Sequence, residues 1–214
     1  MLSAIISDTV LLRSQTTTQR DAKTANKLAK IAGVNLEEYG KLLLKKGTEI
    51  NDISDHDLVF QDSKEFPVGN EKIQISQINS YDIKEPLERK EGIKKVMKEF
   101  MDKNKNIVLF VFDILDIYNM DSYAIVLGPR KKAVEDAYHV EIGEDDVVFL
   151  KKVASRKKQL YPDIAHHIIK IQKKEAKEKA DEAKEIKEKV KSSESKKEND
   201  EESTKDDNKK EETK

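Results

Sequence analysis

Apolar positions along the chain fall into successive regimes. Leu2 to Leu12 is apolar with Asp8 as its only charge, which predicts a short helix. Arg13 to Thr18 is polar and carries Ser14 and three threonines. Thr18 or a neighbour can cap a helix over 19–32, and Gly33 ends it. Asn35 caps another helix over 36–46, where Leu36, Tyr39, Leu43 and Leu44 form a stripe and Gly47 stops it. No strand pattern separates these helices.

Past a polar stretch at 51–54 the period drops to two. Lys72 to Ile78 alternates apolar and polar residues, the signature of a half-buried strand. Pro86 opens a helix over 86–103, with Leu87, Ile93, Val96, Met97 and Phe100 on one face. Asn106 to Leu115 is largely apolar and rich in β-branched residues, so it predicts a buried strand. Tyr123 to Leu127 is a second such strand, ended by Gly128-Pro129. Residues 131–138 predict a short helix and 147–150 a last strand. Strand–helix–strand–strand–helix–strand over 56–160 predicts a small α/β domain with a mixed sheet.

A helix starts after Pro162 and runs into a different composition. Residues 171–214 hold 14 Lys and 15 Asp or Glu, with only six apolar residues. Such a segment buries too little surface to offset its ordering entropy. It predicts a charged low-complexity tail, helical at first through pairs such as Glu175–Lys179 and Glu185–Lys189. Fraying is expected beyond Val190. The folding part is then about 1–170, long enough for a core.

The formal net charge is −1, which argues against a protein that coats nucleic acid. There is no Cys, so any metal must be held by carboxylates and imidazoles, the donors of Mg or Mn. Neither a signal peptide nor a membrane span is legible, and a cytoplasmic location is expected. The chain opens directly into apolar residues and reads as if an upstream segment were missing.

Four features invite chemistry. Ser155-Arg156-Lys157-Lys158-Gln159 places three cations before a helix start, where they can bind phosphate or simply be solvated. Asp8 sits in an apolar helix and either binds a metal, faces solvent or caps a turn. Asp55-His56-Asp57 and His166-His167 resemble ligand sets, but adjacent helical residues point about 100° apart, and all four His read as non-catalytic. Nothing in the local pattern marks Lys64.

Five ordered blocks resemble the manganese-dependent (family II) inorganic pyrophosphatases, of the DHH phosphoesterase superfamily. They are Leu2 to Thr9 with Ser14-Gln15-Thr16-Thr17-Thr18, Ile31 to Gly40, Asp62-Ser63-Lys64-Glu65-Phe66, Asp113-Ile114-Leu115 with Asn119 to Ser122, and Ser155 to Gln159. The resemblance implies the last helices of a DHH domain over 1–50. It also implies a DHH-associated C-terminal α/β domain over 56–165 that binds substrate, before the tail at 171–214. It implies hydrolysis of pyrophosphate with two Mn ions, Asp8 as a metal ligand, and Lys64, Arg156 and Lys157 gripping substrate phosphate. The implied partners are pyrophosphate, a missing N-terminal half and a second copy of the chain, with no nucleic acid and no membrane. The remaining metal ligands of the family have no counterpart here, so the isolated chain is expected to be an inactive fragment. The alternatives are an exopolyphosphatase-like phosphoesterase or a non-catalytic phosphate-binding module.

Overall fold

The structure, a computed structural model, describes residues 1–14 and 16–207, with side chains as far as Lys184. Gln15 and the side chains of the Glu185–Lys189 pair lie outside the described residues. There are two compact units, Met1–Ile168 and Ile169–Lys214.

Three helices come first: α1 (Leu2–Asp8), α2 (Gln19–Ala32) and α3 (Leu36–Gly47). The capping signals act as the sequence implies. Thr18 Oγ1 accepts from Asp21 N at 3.2 Å, while the Asp21 carboxylate accepts from Thr18 N at 2.8 Å, a reciprocal cap. Asn35 Oδ1 accepts from Glu38 N at 3.1 Å.

Helix α1 stops short of the expected Leu12. The Thr9 hydroxyl donates to Ile5 O at 2.6 Å and accepts from Leu12 N at 3.1 Å, so a side chain competes with the helical ladder. Val10, Leu11 and Leu12 then adopt φ of 47, 53 and 64°. Leu11 offsets that strain by burial among Ile6, Leu44, Leu115 and Ile117. Its side chain fills the space that a Cβ on Gly40 would need.

Two further elements, α4 (Asp55–Phe60) and β1 (Ser63–Val68), do not show in the periodicity. Helix α4 has six residues, though Ser54 Oγ caps it by accepting from Asp57 N at 3.0 Å. Strand β1 lies at the sheet edge, where exposed Lys64, Glu65 and Pro67 are tolerated and alternation is not required. There follow β2 (Glu71–Ser80), α5 (Lys84–Glu88), α6 (Lys90–Lys103), β3 (Ile107–Asp116), β4 (Asp121–Leu127), α7 (Lys131–Tyr138) and β5 (Val147–Leu150). The single helix expected over 86–103 is broken at Arg89. That guanidinium turns back, donating from Nε to Asp55 Oδ1 at 2.9 Å, from Nη1 to Ile50 O at 3.0 Å and from Nη2 to Ile53 O at 2.7 Å. It ties segment 50–55 to the helix layer.

The sheet order is β1-β2-β3-β4-β5, with β2 and β3 parallel and the other pairs antiparallel. It is the expected mixed sheet with one more strand. Side chains alternate across β3. Phe110, Phe112 and Ile114 join Ile93 and Met97 of α6 and Leu58 and Val59 of α4 in the main core. Leu109, Val111 and Asp113 point to the opposite face and are buried too.

A π-helical turn (Arg156–Leu160) leads into α8 (Tyr161–Asp207), so the helix begins before Pro162 rather than after it. The charged segment is helical to Asp207, past the fraying point expected near Val190. Lys174 meets Glu178 at 3.8 Å across one turn.

Candidate phosphate grip

The run Ser155 to Gln159 builds the turn that starts the C-terminal helix. Ser155 Oγ accepts from Lys158 N at 3.2 Å. The Gln159 side chain folds back, accepting from Ala154 N and Ser155 N at 3.0 Å each and donating to Lys152 O at 3.0 Å. Leu160 N reaches Ser155 O at 3.1 Å, the wide π spacing often found at functional sites. Both ends of the motif thus shape the backbone.

Its cations divide. Lys157 and Lys158 are exposed, whereas Arg156 is only 8% exposed. Arg156 Nη1 donates to Asp62 O at 2.6 Å and to Ile75 O at 3.4 Å, and Nη2 donates to Asp62 Oδ1 at 2.8 Å. Nε–H and the second Nη2–H have no partner among the described residues, so one edge of the planar fork keeps unused donors of the kind that suit an oxyanion. Lys64 is brought to the same place twice over. It follows Asp62 by two residues and is the register partner of Ile75 across β1 and β2. It is exposed and makes no hydrogen bond or ion pair among the described residues.

Asp8 is the last residue of α1 and is exposed. A cleft of about 830 Å³ lies between the first helices and the sheet, lined in part by Ser7, Thr48, Asp62, Gln77 and Asn79. Asp8, Lys64, Arg156 and Lys157 do not line it. Asp8 adjoins it as the neighbour of Ser7, and Arg156 through its bond to Asp62.

Among the described residues, no group of three or more His, Cys, Asp or Glu is placed to hold a metal ion. Asp55 is engaged by Arg89. His56 lies at the surface with Nδ1 3.4 Å from Asp57 Oδ1. The His166 and His167 rings stand 5.4 Å apart at 73°. Asp8 has no second ligand, so the described residues do not by themselves fit a manganese site.

One acid carries more weight than its sequence context reveals. Asp113 is fully buried beside Arg156 and Gln77. Gln77 Nε2 donates to Oδ2 at 2.6 Å, and Oδ1 has no hydrogen-bond partner among the described residues. Burial pushes this carboxyl up to about 6, against the opposing influence of Ser122, Gln77 and Arg156. An Asp inside an otherwise apolar strand was the signal available in the sequence. Nearby, the Tyr138 phenol is raised by burial and by the charges of Asp163 and Asp113.

The model of the DHHA2 domain matches residues 41–166. The chain belongs to the DHHA2 domain family. A Brevibacillus brevis protein named a probable manganese-dependent inorganic pyrophosphatase is 47% identical to this DHHA2 chain over 162 residues, covering 76% of the chain and 52% of the relative. A Shouchella clausii protein of the same name is 42% identical over 171 residues, covering 80% and 54%. Among solved structures, a Methanococcus jannaschii protein assigned to the family II inorganic pyrophosphatases superposes with a TM-score of 0.60 at 40% identity, covering 78% of this chain and 53% of that one. The DHHA2 chain spans about half the length of the curated relatives it matches. No helix among the described residues is long and apolar enough to cross a membrane.

Proposed function

We propose that this chain supplies the phosphate-gripping part of a manganese-dependent inorganic pyrophosphatase. Residues 56–165 form the substrate-binding domain, and 1–50 are the closing helices of a metal-binding domain. Lys64, Arg156 and Lys157 hold the substrate phosphates, and Asp8 contributes one metal ligand to a centre whose other ligands come from outside these 214 residues. The observation that carries the reading is the Arg156–Asp62 contact. It ties together two segments 94 positions apart, and Lys64 and Lys157, close in the chain to Asp62 and Arg156, make no hydrogen bond or ion pair among the described residues.

The chemistry of these side chains is charge stabilisation. Arg156 offers a fixed fork to two phosphate oxygens, while Lys64 and Lys157 are mobile point charges. Together they orient pyrophosphate and balance charge that builds on the transferred and leaving phosphates. No bond-breaking step follows from them alone, so the 214 residues by themselves should bind pyrophosphate without hydrolysing it.

The test is calorimetric titration with pyrophosphate, with and without Mn, beside a hydrolysis assay. Lys64→Ala and Lys157→Ala should each weaken binding about tenfold to a hundredfold, the worth of a charged hydrogen bond. Undiminished binding in the double variant would remove the grip. Supplying a complete metal-binding half should bring Mn-dependent hydrolysis. Strong hydrolysis by the 214 residues alone would overturn the division of labour. The lack of a ligand cluster among the described residues favours a second reading, a non-catalytic phosphate-binding module. It predicts metal-independent binding and no hydrolysis with any added half.

A further inference from the structure

Asp113 belongs to a block singled out in the sequence, yet the grip above does not use it. It is the register partner of Gln77, two residues along β2 from Ile75, whose carbonyl accepts from Arg156. Gln77 of β2, Ser122 of β4, Arg156 of the π turn and Tyr138 of α7 surround it, and Asp163 of α8 acts on Tyr138. Arg156 is the only cation of the set. Two carboxylates act on it: Asp62 pairs with Nη2 at 2.8 Å, and buried Asp113 lies within reach of its charge.

We propose that Asp113 is a positioning residue of the phosphate grip: its carboxyl is the buried counter-charge to Arg156, and it takes up a proton when an oxyanion binds that guanidinium. The proposal rests on the phosphate-binding reading of Arg156. Its logic is linkage. With no oxyanion bound, ionised Asp113 balances Arg156. An incoming phosphate supplies negative charge to the same guanidinium, and the buried carboxylate then faces an excess of negative charge in a poorly solvated place. Protonating it relieves the repulsion at small cost, because burial already favours its neutral form. Gln77 can serve either state, since its side chain carries both a donor and an acceptor, and it also lines the cleft. Tyr138 does not compete for the proton, because burial holds its phenol neutral.

The experiment counts protons. Pyrophosphate is titrated into the full chain in buffers of different ionisation enthalpy, between pH 5.5 and 8. Pyrophosphate also exchanges protons with the solvent, so Asp113→Asn provides the reference. If binding raises the carboxyl by one unit, the chain takes up about half a proton more than the variant near pH 6.5, and the excess fades by pH 8. Equal counts in two proteins that both bind would overturn the proposal. Carbon-13 NMR titration of the Asp113 carboxyl gives a check that needs no ligand. Removing the cation in Arg156→Gln should raise the midpoint by about one unit, and an unmoved midpoint would also overturn the proposal. A moved midpoint in a chain that does not bind pyrophosphate would refute the phosphate reading while upholding the Arg156–Asp113 pairing.

Discussion

Asp113 should make this protein less stable as pH rises through the acid range, and Asp113→Asn should abolish that loss. In the fold, burial pushes its carboxyl from 3.8 to about 6; unfolded, it returns to the ordinary value. A carboxyl raised in the native state binds protons there that the unfolded chain has already released. Stability therefore falls between pH 4 and pH 7 and levels off above. A rise of about two units corresponds to about 3 kcal/mol in all, of which about 2 kcal/mol falls between pH 4.5 and pH 7.5. Other acids work in the opposite direction. Thr18 holds Asp21 down, Ser54 does the same for Asp57, and Lys90 for Asp145, and what they contribute is lost in acid. They are common to both proteins and cancel in the difference. Urea unfolding of chain and variant at matched ionic strength measures it. The variant should gain about 2 kcal/mol on the parent between pH 4.5 and pH 7.5. A difference flat across that range would mean that Arg156 and Gln77 fully compensate burial, and the reasoning would fail.

A small set of substitutions tests the frame that holds the site. Thr18→Ala removes one half of the reciprocal cap on α2 and should lower stability by about 1 kcal/mol in thermal melts. Gly92→Ala drives a methyl into the Asp55 carboxylate that Arg89 holds. It should cost about 1–3 kcal/mol, and less than the sum of the single effects when combined with Asp55→Ala. Gly128 has φ +121 and its missing Cβ would collide with Val108 O, whereas Gly33 at φ +66 has open space around it. Gly128→Ala should therefore be clearly more damaging than Gly33→Ala, which should cost about 1 kcal/mol; equal losses in chemical denaturation would refute the clash.

Periodicity revealed the long, half-buried elements because their packing partners impose a period. Helix α3 with its apolar stripe and strand β2 with its alternation are of this kind, whereas capping residues marked α2 and a continuous apolar run marked β3. Periodicity failed where side chains act over a distance. Arg89 breaks an apparently continuous helix because its partners, Ile50, Ile53 and Asp55, lie at least 34 positions away. Thr9 shortens α1 through a local hydroxyl that the apolar pattern conceals. Strand β1 hid because an edge strand pairs on one side and has no need to alternate.

The site follows the same division. Composition treats Arg156, Lys157 and Lys158 as one basic run, but the fold separates them by burial. The π turn points Arg156 inward, where a lysine could not replace it. A planar guanidinium meets two backbone carbonyls and a carboxylate and still leaves one edge free. An ammonium has three donors, and the same three acceptors would use all of them. Arg156→Lys should therefore preserve charge and fold while losing the open edge. Its expected signature is pyrophosphate affinity reduced nearly as far as in Arg156→Gln, with urea stability closer to that of the parent chain. If Arg156→Lys bound pyrophosphate as well as the parent, the open edge would not be the feature that matters, and Lys64 and Lys157 would be left to carry the grip.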